Sequence, residues 1–231
     1  MALWTYLWAW SDVTKWLYHL DGSANDSSWN GNNGNPLNVS RVDWKVGGGC
    51  ALWAANPSIS IPSTTMWTIW TGDFVISFWV NPNNPWGSRY PILFGSFATT
   101  SPFAWPTVFF DPSNSFWTWW DGIQFRCAST NLLNITSPSA SSLYWVWTNI
   151  VFTRISWTMY VYYNWSLVGS KADTTNIPAA WQARIFSRNL SIQRFASAWA
   201  KFDECIVETW KWWTATEVKK YYTYALWRFT S

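Results

Sequence analysis

The chain has 231 residues, 12% of them charged, and a formal net charge at pH 7 of only +3. Its basic residues are dispersed apart from the pair Lys219 and Lys220, which excludes the clustered positive surface that nucleic-acid binding requires. Because no run reaches the roughly 18 consecutive apolar residues of a transmembrane helix, we also expect no membrane insertion.

The domain organisation follows from the length and from the absence of linkers. Residues 1–16 are assigned to an N-terminal extension, in which Met1 to Lys15 lack the basic start and the continuous apolar run of a signal peptide. Residues 17–231 contain no low-complexity linker and no repeat with a period of about 20–50 residues. They are predicted to form one domain, since this length lies within the range of a single all-β domain.

The first predicted strand, residues 17–20, leads into a loop built almost wholly of turn-forming residues, Asp21 to Gly34. Its side-chain and backbone oxygens suit a hard cation such as calcium. They equally suit a set of Asx turns with no ion, and no glutamate closes the loop as in an EF-hand. The single histidine, His19, is interpreted as a structural residue at the strand, although a Ser-His-Asp site would have to use it.

The stretch from Gly72 to Pro82 is dense in β-branched and aromatic residues and is followed by further turn-forming Asn and Pro residues. At period two, one face carries Phe74, Ile76, Phe78 and Val80, and the other carries Val75, Ser77, Trp79 and Asn81. Both faces are largely apolar. This pattern predicts a central strand that is covered on both sides, as in a two-sheet sandwich.

Other segments with strand character lie on either side of this central strand. They are residues 58–62, 92–97, 122–127, 147–154, 158–163, 166–170, 184–188 and 202–207. Residues 98–111, rich in Thr, Ser and Pro, are predicted to be irregular. In the last strand we expect strict alternation, with Phe202, Glu204 and Ile206 on one face and Asp203, Cys205 and Val207 on the other.

Near the C-terminus the sequence pattern changes from that of strands to that of a helix. Thr214 and Glu217 form a T-x-x-E capping box, which predicts a helix of two to three turns from Glu217 to Leu226. The cysteines at positions 50, 127 and 205 are widely spaced and include no C-x-x-C pair. A zinc site is therefore not indicated, and at most one disulfide can form.

Tryptophan is abnormally frequent, with 25 residues against only 11 glycines, although a fold rich in tight turns usually needs glycine. The pair Asn164–Trp165 stands where a two-residue hairpin favours Asn-Gly, because a type I′ turn needs positive φ at both central positions. The same pattern recurs at Trp29, Trp44, Trp157 and Trp181. These five positions are predicted to be places where the backbone requires glycine.

Three explanations are open for these tryptophans. Some bacteria decode the UGA codon as glycine, and a translation that reads UGA as tryptophan prints Trp at those positions. The alternatives are a Trp-rich surface that stacks on sugars and an unusual core packed with Trp. By contrast, Trp79, Trp147 and one residue of the group 210–213 lie in apolar strand or helix-start patterns and are interpreted as genuine tryptophans.

A series of segments appears in a characteristic order between residues 17 and 222. These segments are LYHLDGSANDSS, NGNNG, KVGGGCAL, SISIP, GDFVISFWVNP, WTNIVFTR, MYVYYN, SLVGS, FDECIVE and WTATEVKKYY. Together they resemble the LamG-like jelly-roll branch of the concanavalin A-like lectin/glucanase superfamily. At Trp29, Trp157 and Trp165 the pattern of that family carries glycine.

The resemblance implies a two-sheet antiparallel jelly-roll sandwich with a concave face and loops at one rim. It also implies a non-enzymatic binding or adhesion module, extracellular or at the cell surface, that recognises carbohydrate or another surface ligand. Many members hold calcium, and the positions that match here are Asp21, Asn25, Asp26, Asn30 and Asp203. Such a site would join the two ends of the domain and would be structural.

Two other functions are weighed against the binding module. One is a structural or assembly domain of a surface or phage appendage protein. The other, the least favoured, is a glycan hydrolase, because glucanases of this superfamily use the pattern E-x-D-x-E. The nearest match runs from Glu204 to Glu208 with Ile206 at its centre. Their Cα atoms lie roughly 13 Å apart on a regular strand, whereas a retaining pair needs carboxyl groups about 5–5.5 Å apart.

Aromatic residues offer a second route to sugar binding. Tyr160, Tyr162 and Tyr163 lie within one predicted strand, where they either stack on sugar rings or fill a core or cross-strand role. The core role is the favoured interpretation.

Overall fold

The computed structural model describes residues 14–20, 23–28, 30–42, 49–51, 58–61, 72–82, 92–96, 106–111, 122–127, 132–177, 183–187 and 200–230. The strands are β1 (Thr14–Tyr18), β2 (Asn35–Leu37), β3 (Ser40–Val42), β4 (Gly49–Ala51), β5 (Ser58–Ile61), β6 (Phe74–Pro82), β7 (Ile92–Ser96), β8 (Pro106–Asp111), β9 (Gly122–Cys127), β10 (Leu132–Ile135), β11 (Thr148–Ile155), β12 (Thr158–Tyr163), β13 (Ser166–Ala172), β14 (Ala183–Ser187) and β15 (Ala200–Thr209). A short 3₁₀ helix spans Ala140–Leu143, and the helix α1 spans Ala215–Thr230.

The described strands form two antiparallel sheets. The first sheet has the order β13-β12-β11-β6-β15-β4-β3, and β1 also pairs with β15. The second sheet has the order β10-β9-β8-β7-β14-β5-β2. The predicted architecture, an all-β two-sheet antiparallel jelly-roll sandwich with a short C-terminal helix, is confirmed.

The core lies between the two sheets, and β6 is central to it. Strand β6 pairs with β11 and β15, and all nine of its residues are buried. Its Phe74 and Phe78 belong to the same apolar cluster as Phe125 of the second sheet. The rings of Phe125 and Phe152 lie 5.2 Å apart. Full burial of one such side chain contributes roughly 1.5–3 kcal/mol, so this interface holds the two sheets together.

The outer face of the first sheet is covered by α1, not by another sheet. Val75 and Trp79, on the second face of β6, pack in one cluster with Val218 and Ala225 of the helix. The ring of Trp79 stacks on that of Tyr222 with a centroid distance of 5.5 Å. The prediction that β6 is covered on both sides is therefore confirmed.

The predicted capping box begins α1. The backbone N–H of Thr214 donates to Oε2 of Glu217 over 2.7 Å, and the N–H of Glu217 donates to Oγ1 of Thr214 over 3.4 Å. These two bonds satisfy donors that the first turn of a helix leaves open. The helix begins at Ala215 and runs to Thr230, so it is longer at both ends than predicted.

Two sequence predictions are wrong. Residues 98–111 were expected to be irregular, yet Pro106–Asp111 forms β8 between β7 and β9; its proline is the first residue, a position that sheets tolerate. Strict alternation in the last strand also fails. The pairing of β15 with β6 shifts between Asp203 and Ile206, and Glu204 has a φ of 48°, which is a β-bulge.

The bulge decides which residues of β15 face the core. Phe202, Cys205 and Val207 belong to the cluster between the sheets, whereas Ile206 packs in the cluster beneath α1. Cys205 was expected on the same face as Val207, but Phe202 was expected on the opposite one. The one extra residue in the strand places Phe202 on the same face as Cys205 and Val207.

At the other end of the chain, β1 begins at Thr14, upstream of residue 17, where the domain was predicted to start. Residues 1–13 lie outside the described ranges, and the single-domain assignment stays a prediction. Within the described residues, no helix has the length and apolar character needed to cross a bilayer.

An ion pair is buried at one end of the core. Nη1 of Arg154 lies 3.0 Å from Oδ2 of Asp173, and both side chains are fully buried. The guanidinium also donates from Nε to the carbonyl of Gly72 over 3.0 Å and from Nη1 to that of Thr175 over 2.8 Å. Such partners offset the desolvation of two charges, and they tie β11 to the segments that precede β6 and follow β13.

The three cysteines, Cys50, Cys127 and Cys205, are buried, and none of them forms a disulfide. The disulfide that the sequence allowed is therefore absent. Burial raises the pKa of the Cys127 and Cys205 thiols well above the usual range of a thiol, so both stay protonated and unreactive near neutral pH.

Candidate functional site

The loop between β1 and β2, residues 23–28 and 30–34, is organised by the carboxylate of Asp26. Its Oδ1 accepts from the backbone N–H of Leu17 at 3.1 Å and of Ser28 at 2.9 Å. Its Oδ2 accepts from the backbone N–H of Asn32 at 3.0 Å and from the amide Nδ2 of that residue at 3.3 Å. A carboxylate offers about four lone-pair positions, so these four donors use its full capacity.

Further bonds fasten the loop to the sandwich. The buried hydroxyl of Tyr18 donates to the carbonyl of Asn32. Burial, followed by the nearby charge of Asp26, raises the pKa of Tyr18 far above its usual value, so this hydroxyl keeps its proton. Gly34 donates to the carbonyl of Ala24 over 2.7 Å, and a Cβ at Gly34 would lie 2.6 Å from Cγ2 of Ile59. The loop therefore has a defined backbone held against β5.

The predicted calcium set is only partly placed. Asp26 directs both oxygens at N–H donors, and Asp21 lies outside the described residues. Asn25 and Asn30 have exposed side chains on the loop, and Nδ2 of Asn30 donates to Oγ of Ser28 over 3.0 Å. The described part of the loop thus makes hydrogen bonds of the Asx-turn type.

The fifth predicted ligand, Asp203, lies in β15 next to the bulge. It is buried, and its Oδ1 accepts from the backbone N–H of Glu204 over 2.8 Å. Across the described ranges, no three His, Cys, Asp or Glu side chains lie close enough together to hold a metal ion. Because Asp21 lies outside the described residues, the calcium site stays a prediction.

The two glutamates of the glucanase-like pattern are held by different partners. Oε1 of Glu204 lies 2.8 Å from Nδ1 of His19, so the only histidine has the structural role expected for it. Oε2 of Glu208 accepts from Nε1 of Trp213 over 2.7 Å, and Lys211 lies 3.8 Å away. The side chain of Glu208 is completely buried. These contacts position the turn before α1, and they leave Glu208 closed to a substrate.

The aromatic residues of β12 have packing roles. Tyr162 lies in the cluster beneath α1 and Tyr160 packs at its edge, while Tyr163 belongs to the core between the sheets. Burial raises the pKa of Tyr162 and of Tyr163. The packing of these three tyrosines therefore confirms the core interpretation.

Two of the predicted glycine positions lie in described turns. Trp157 has a φ of 70° and Trp165 a φ of 68°, and both indoles are exposed. The remaining three, Trp29, Trp44 and Trp181, lie outside the described residues. The structure adds two tryptophans with the same backbone conformation that the sequence pattern missed, Trp145 and Trp210.

Comparison of the sequence with known proteins finds no matching family model and no matching curated protein. Solved structures do match. The binding domain of Paraclostridial Mosquitocidal Protein 1 superposes with a TM-score of 0.70 and 16% identity over 93% of this chain and 53% of that one. The binding domain of botulinum neurotoxin serotype D gives a TM-score of 0.69 and 12% identity over 92% of this chain and 52% of that one.

A third match differs in its extent. Domain 4 of AbnA, a GH43 extracellular arabinanase from Geobacillus stearothermophilus, superposes with a TM-score of 0.66 and 16% identity over 90% of this chain and 97% of that one. This chain therefore spans about half of the toxin binding domains but nearly all of domain 4. At these identities the likeness shows the fold, a β-sandwich shared with binding domains.

Proposed function

We propose that this chain is a non-enzymatic, extracellular binding module that recognises a carbohydrate or a surface glycoconjugate. The observation that carries the proposal is the nearly complete mutual overlap with domain 4 of the arabinanase, which was solved in complex with arabinotriose. Two toxin binding domains of this fold support it: one belongs to a toxin whose cell entry depends on two ganglioside molecules, and the other is in complex with SialylT. Extracellular placement is supported by the same neighbours.

Membership of the LamG-like jelly-roll branch is part of this proposal. It is supported by the ordered segments between residues 17 and 222 and by the two-sheet topology of the described strands. Fold alone does not determine function, so the site has to carry the ligand argument.

The loop organised by Asp26 is the surface that we assign to ligand contact. Asn25 and Asn30 expose their side chains on a backbone that Asp26, Asn33 and Tyr18 fasten in place. A side-chain amide both donates and accepts, which suits the hydroxyl groups of a sugar. A fastened loop loses little conformational freedom on binding, so less of the interaction energy is spent on ordering it.

The two glutamates favour binding over hydrolysis. Glu208 is buried against Trp213, and Glu204 pairs with His19. A glycosidase needs one carboxyl as an acid and another as a nucleophile or base on opposite sides of the scissile bond. The separate partners of Glu204 and Glu208 do not provide that arrangement.

A glycan array tests the proposal. We expect the purified chain to bind a chemically related group of glycans and to release no reducing sugar from them. The double variant Asn25→Ala with Asn30→Ala should lose at least about tenfold in affinity, equivalent to about 1.4 kcal/mol. Asn134→Ala changes an exposed asparagine in β10 and should leave the affinity unchanged.

Three outcomes of these measurements contradict parts of the proposal. Silence across all glycans would favour the alternative of a structural or assembly domain of a surface or phage appendage protein. Equal loss of affinity in the double variant and in Asn134→Ala would reject the loop as the contact surface. Sugar release that disappears in Glu204→Gln would reject the non-enzymatic assignment.

A further inference from the structure

Four tryptophans in the described part of the chain share an unusual backbone conformation. The φ angles are 65° at Trp145, 70° at Trp157, 68° at Trp165 and 62° at Trp210. A side chain with a Cβ resists this left-handed region, whereas glycine enters it freely. All four residues are also between 43% and 66% exposed, and none belongs to either apolar core cluster. The ammonium group of Lys219 lies 4.6 Å from the centre of the Trp165 ring, but this surface contact does not bury the indole.

The turns in which these residues lie have a strong requirement for glycine. Ser156 and Trp157 connect β11 to β12 with φ angles of 44° and 70°, and Asn164 and Trp165 connect β12 to β13 with 46° and 68°. Positive φ at both central residues is the type I′ hairpin turn, whose second central residue is usually glycine. The first turn would then read Ser-Gly and the second Asn-Gly.

The other two positions end secondary-structure elements. Trp145 lies just beyond the 3₁₀ helix, and its N–H donates to the carbonyl of Pro82 over 2.7 Å. Trp210 directly follows β15, and its N–H donates to the carbonyl of Asp73 over 2.8 Å. A left-handed residue at the end of an element is commonly glycine.

Two buried tryptophans show the opposite features. Trp79 is enclosed beneath α1 against Tyr222, and Trp213 is enclosed and donates to Glu208. Neither has a positive φ. An indole fills each of these sites, so glycine there would leave a large cavity.

We propose that the natural protein carries glycine at positions 145, 157, 165 and 210, encoded by UGA codons that its source reads as glycine, and tryptophan from UGG codons at Trp79 and Trp213. Four of the 25 tryptophans in the sequence would then be glycines, which accounts for part of the excess of Trp over Gly. The inference is independent of the proposed function. It also removes these exposed indoles as candidates for sugar stacking.

The nucleotide sequence is the first test. We expect UGA at the four exposed positions and UGG at Trp79 and Trp213. Mass spectrometry of peptides from the natural protein should show glycine masses at the four positions. UGG at those four positions, or a tryptophan mass in the peptides, would overturn the proposal whether or not the chain as printed folds.

Thermal unfolding of the chain as printed is the second test. Trp157→Gly should raise Tm by about 2–4 °C, because it relieves the left-handed strain. Trp157→Ala removes the same indole but keeps a Cβ, so it should not give this rise. Trp212 is 45% exposed without positive φ, and Trp212→Gly should lower Tm or leave it unchanged. A fall in Tm for Trp157→Gly like that of Trp212→Gly would contradict the strain argument.

Discussion

The carboxylate of Asp26 should be the main source of order in the loop that we assign to ligand contact. In Asp26→Ala, the backbone donors of Leu17, Ser28 and Asn32 lose their acceptor. A hydrogen bond to a charged group contributes about 1.5–3 kcal/mol. Water reaches the half-exposed loop and replaces some of the lost hydrogen bonds. We therefore expect Asp26→Ala to lower the free energy of unfolding by about 2–4 kcal/mol, which is less than the sum of the individual bonds.

Urea and thermal unfolding measure this loss. For a domain of this size, about 2–4 kcal/mol corresponds to a fall in Tm of about 5–15 °C. The control is Asn25→Ala, which truncates an exposed neighbour in the same loop and should change stability by less than about 0.5 kcal/mol. If Asp26→Ala were as stable as this control, the carboxylate would not organise the loop.

The same variants decide between Asx turns and calcium. Because N–H donors occupy the Asp26 oxygens, calcium at millimolar concentration should leave the Tm of the parent chain unchanged. A resident ion at 100 times its Kd would add about 2.7 kcal/mol of stability. A Tm that rises with calcium, falls with chelator and loses this response in Asp26→Ala would refute the hydrogen-bond account and confirm the predicted calcium site.

Three further predictions concern the scaffold. Arg154→Met leaves Asp173 buried without its partner and should cost about 3–5 kcal/mol in urea unfolding; a loss under about 1 kcal/mol would contradict the role of the pair. The folded-state pKa values of Cys205 and Tyr18 are raised. In the unfolded chain the thiol therefore loses its proton above about pH 8.5 and the phenol above about pH 10, whereas both groups keep their protons in the folded chain. Stability should therefore be complete below this range and fall with rising pH by about 1.4 kcal/mol per unit for each group, and Tyr18→Phe should flatten the fall. Thr214→Ala removes half of the capping box and should cost about 1 kcal/mol, and equal stability of the variant would show that the cap is not needed.

The elements that could be predicted are those with a strong local pattern. The alternation in β6 was sufficient to predict a strand buried on both faces, and the spacing of Thr214 and Glu217 was sufficient to predict the start of α1. The Asn164–Trp165 pair indicated a tight hairpin turn, because its geometry depends on two adjacent residues. In each case the signal lies within a few residues of the feature.

What could not be predicted depends on distant partners. Nothing local to Phe202–Val207 marks the bulge, which arises where β15 pairs with β6, β1 and β4. The C-terminal helix could be predicted, but its packing against Trp79 could not, since that contact joins segments far apart in the chain. Likewise, the loop composition indicated Asx turns or calcium, but only the structure brings Leu17 and Asn32 to the same Asp26 carboxylate.

The central claim is that this chain binds glycans and does not cleave them. The most direct measurement is a calorimetric titration with the glycan that ranks highest on the array, with reducing ends assayed in the same samples. The account predicts saturable binding at one site, weakened in Asp26→Ala, with no reducing ends above the protein-free control. Reducing ends that accumulate in proportion to the protein, and that vanish in Glu204→Gln, would contradict it.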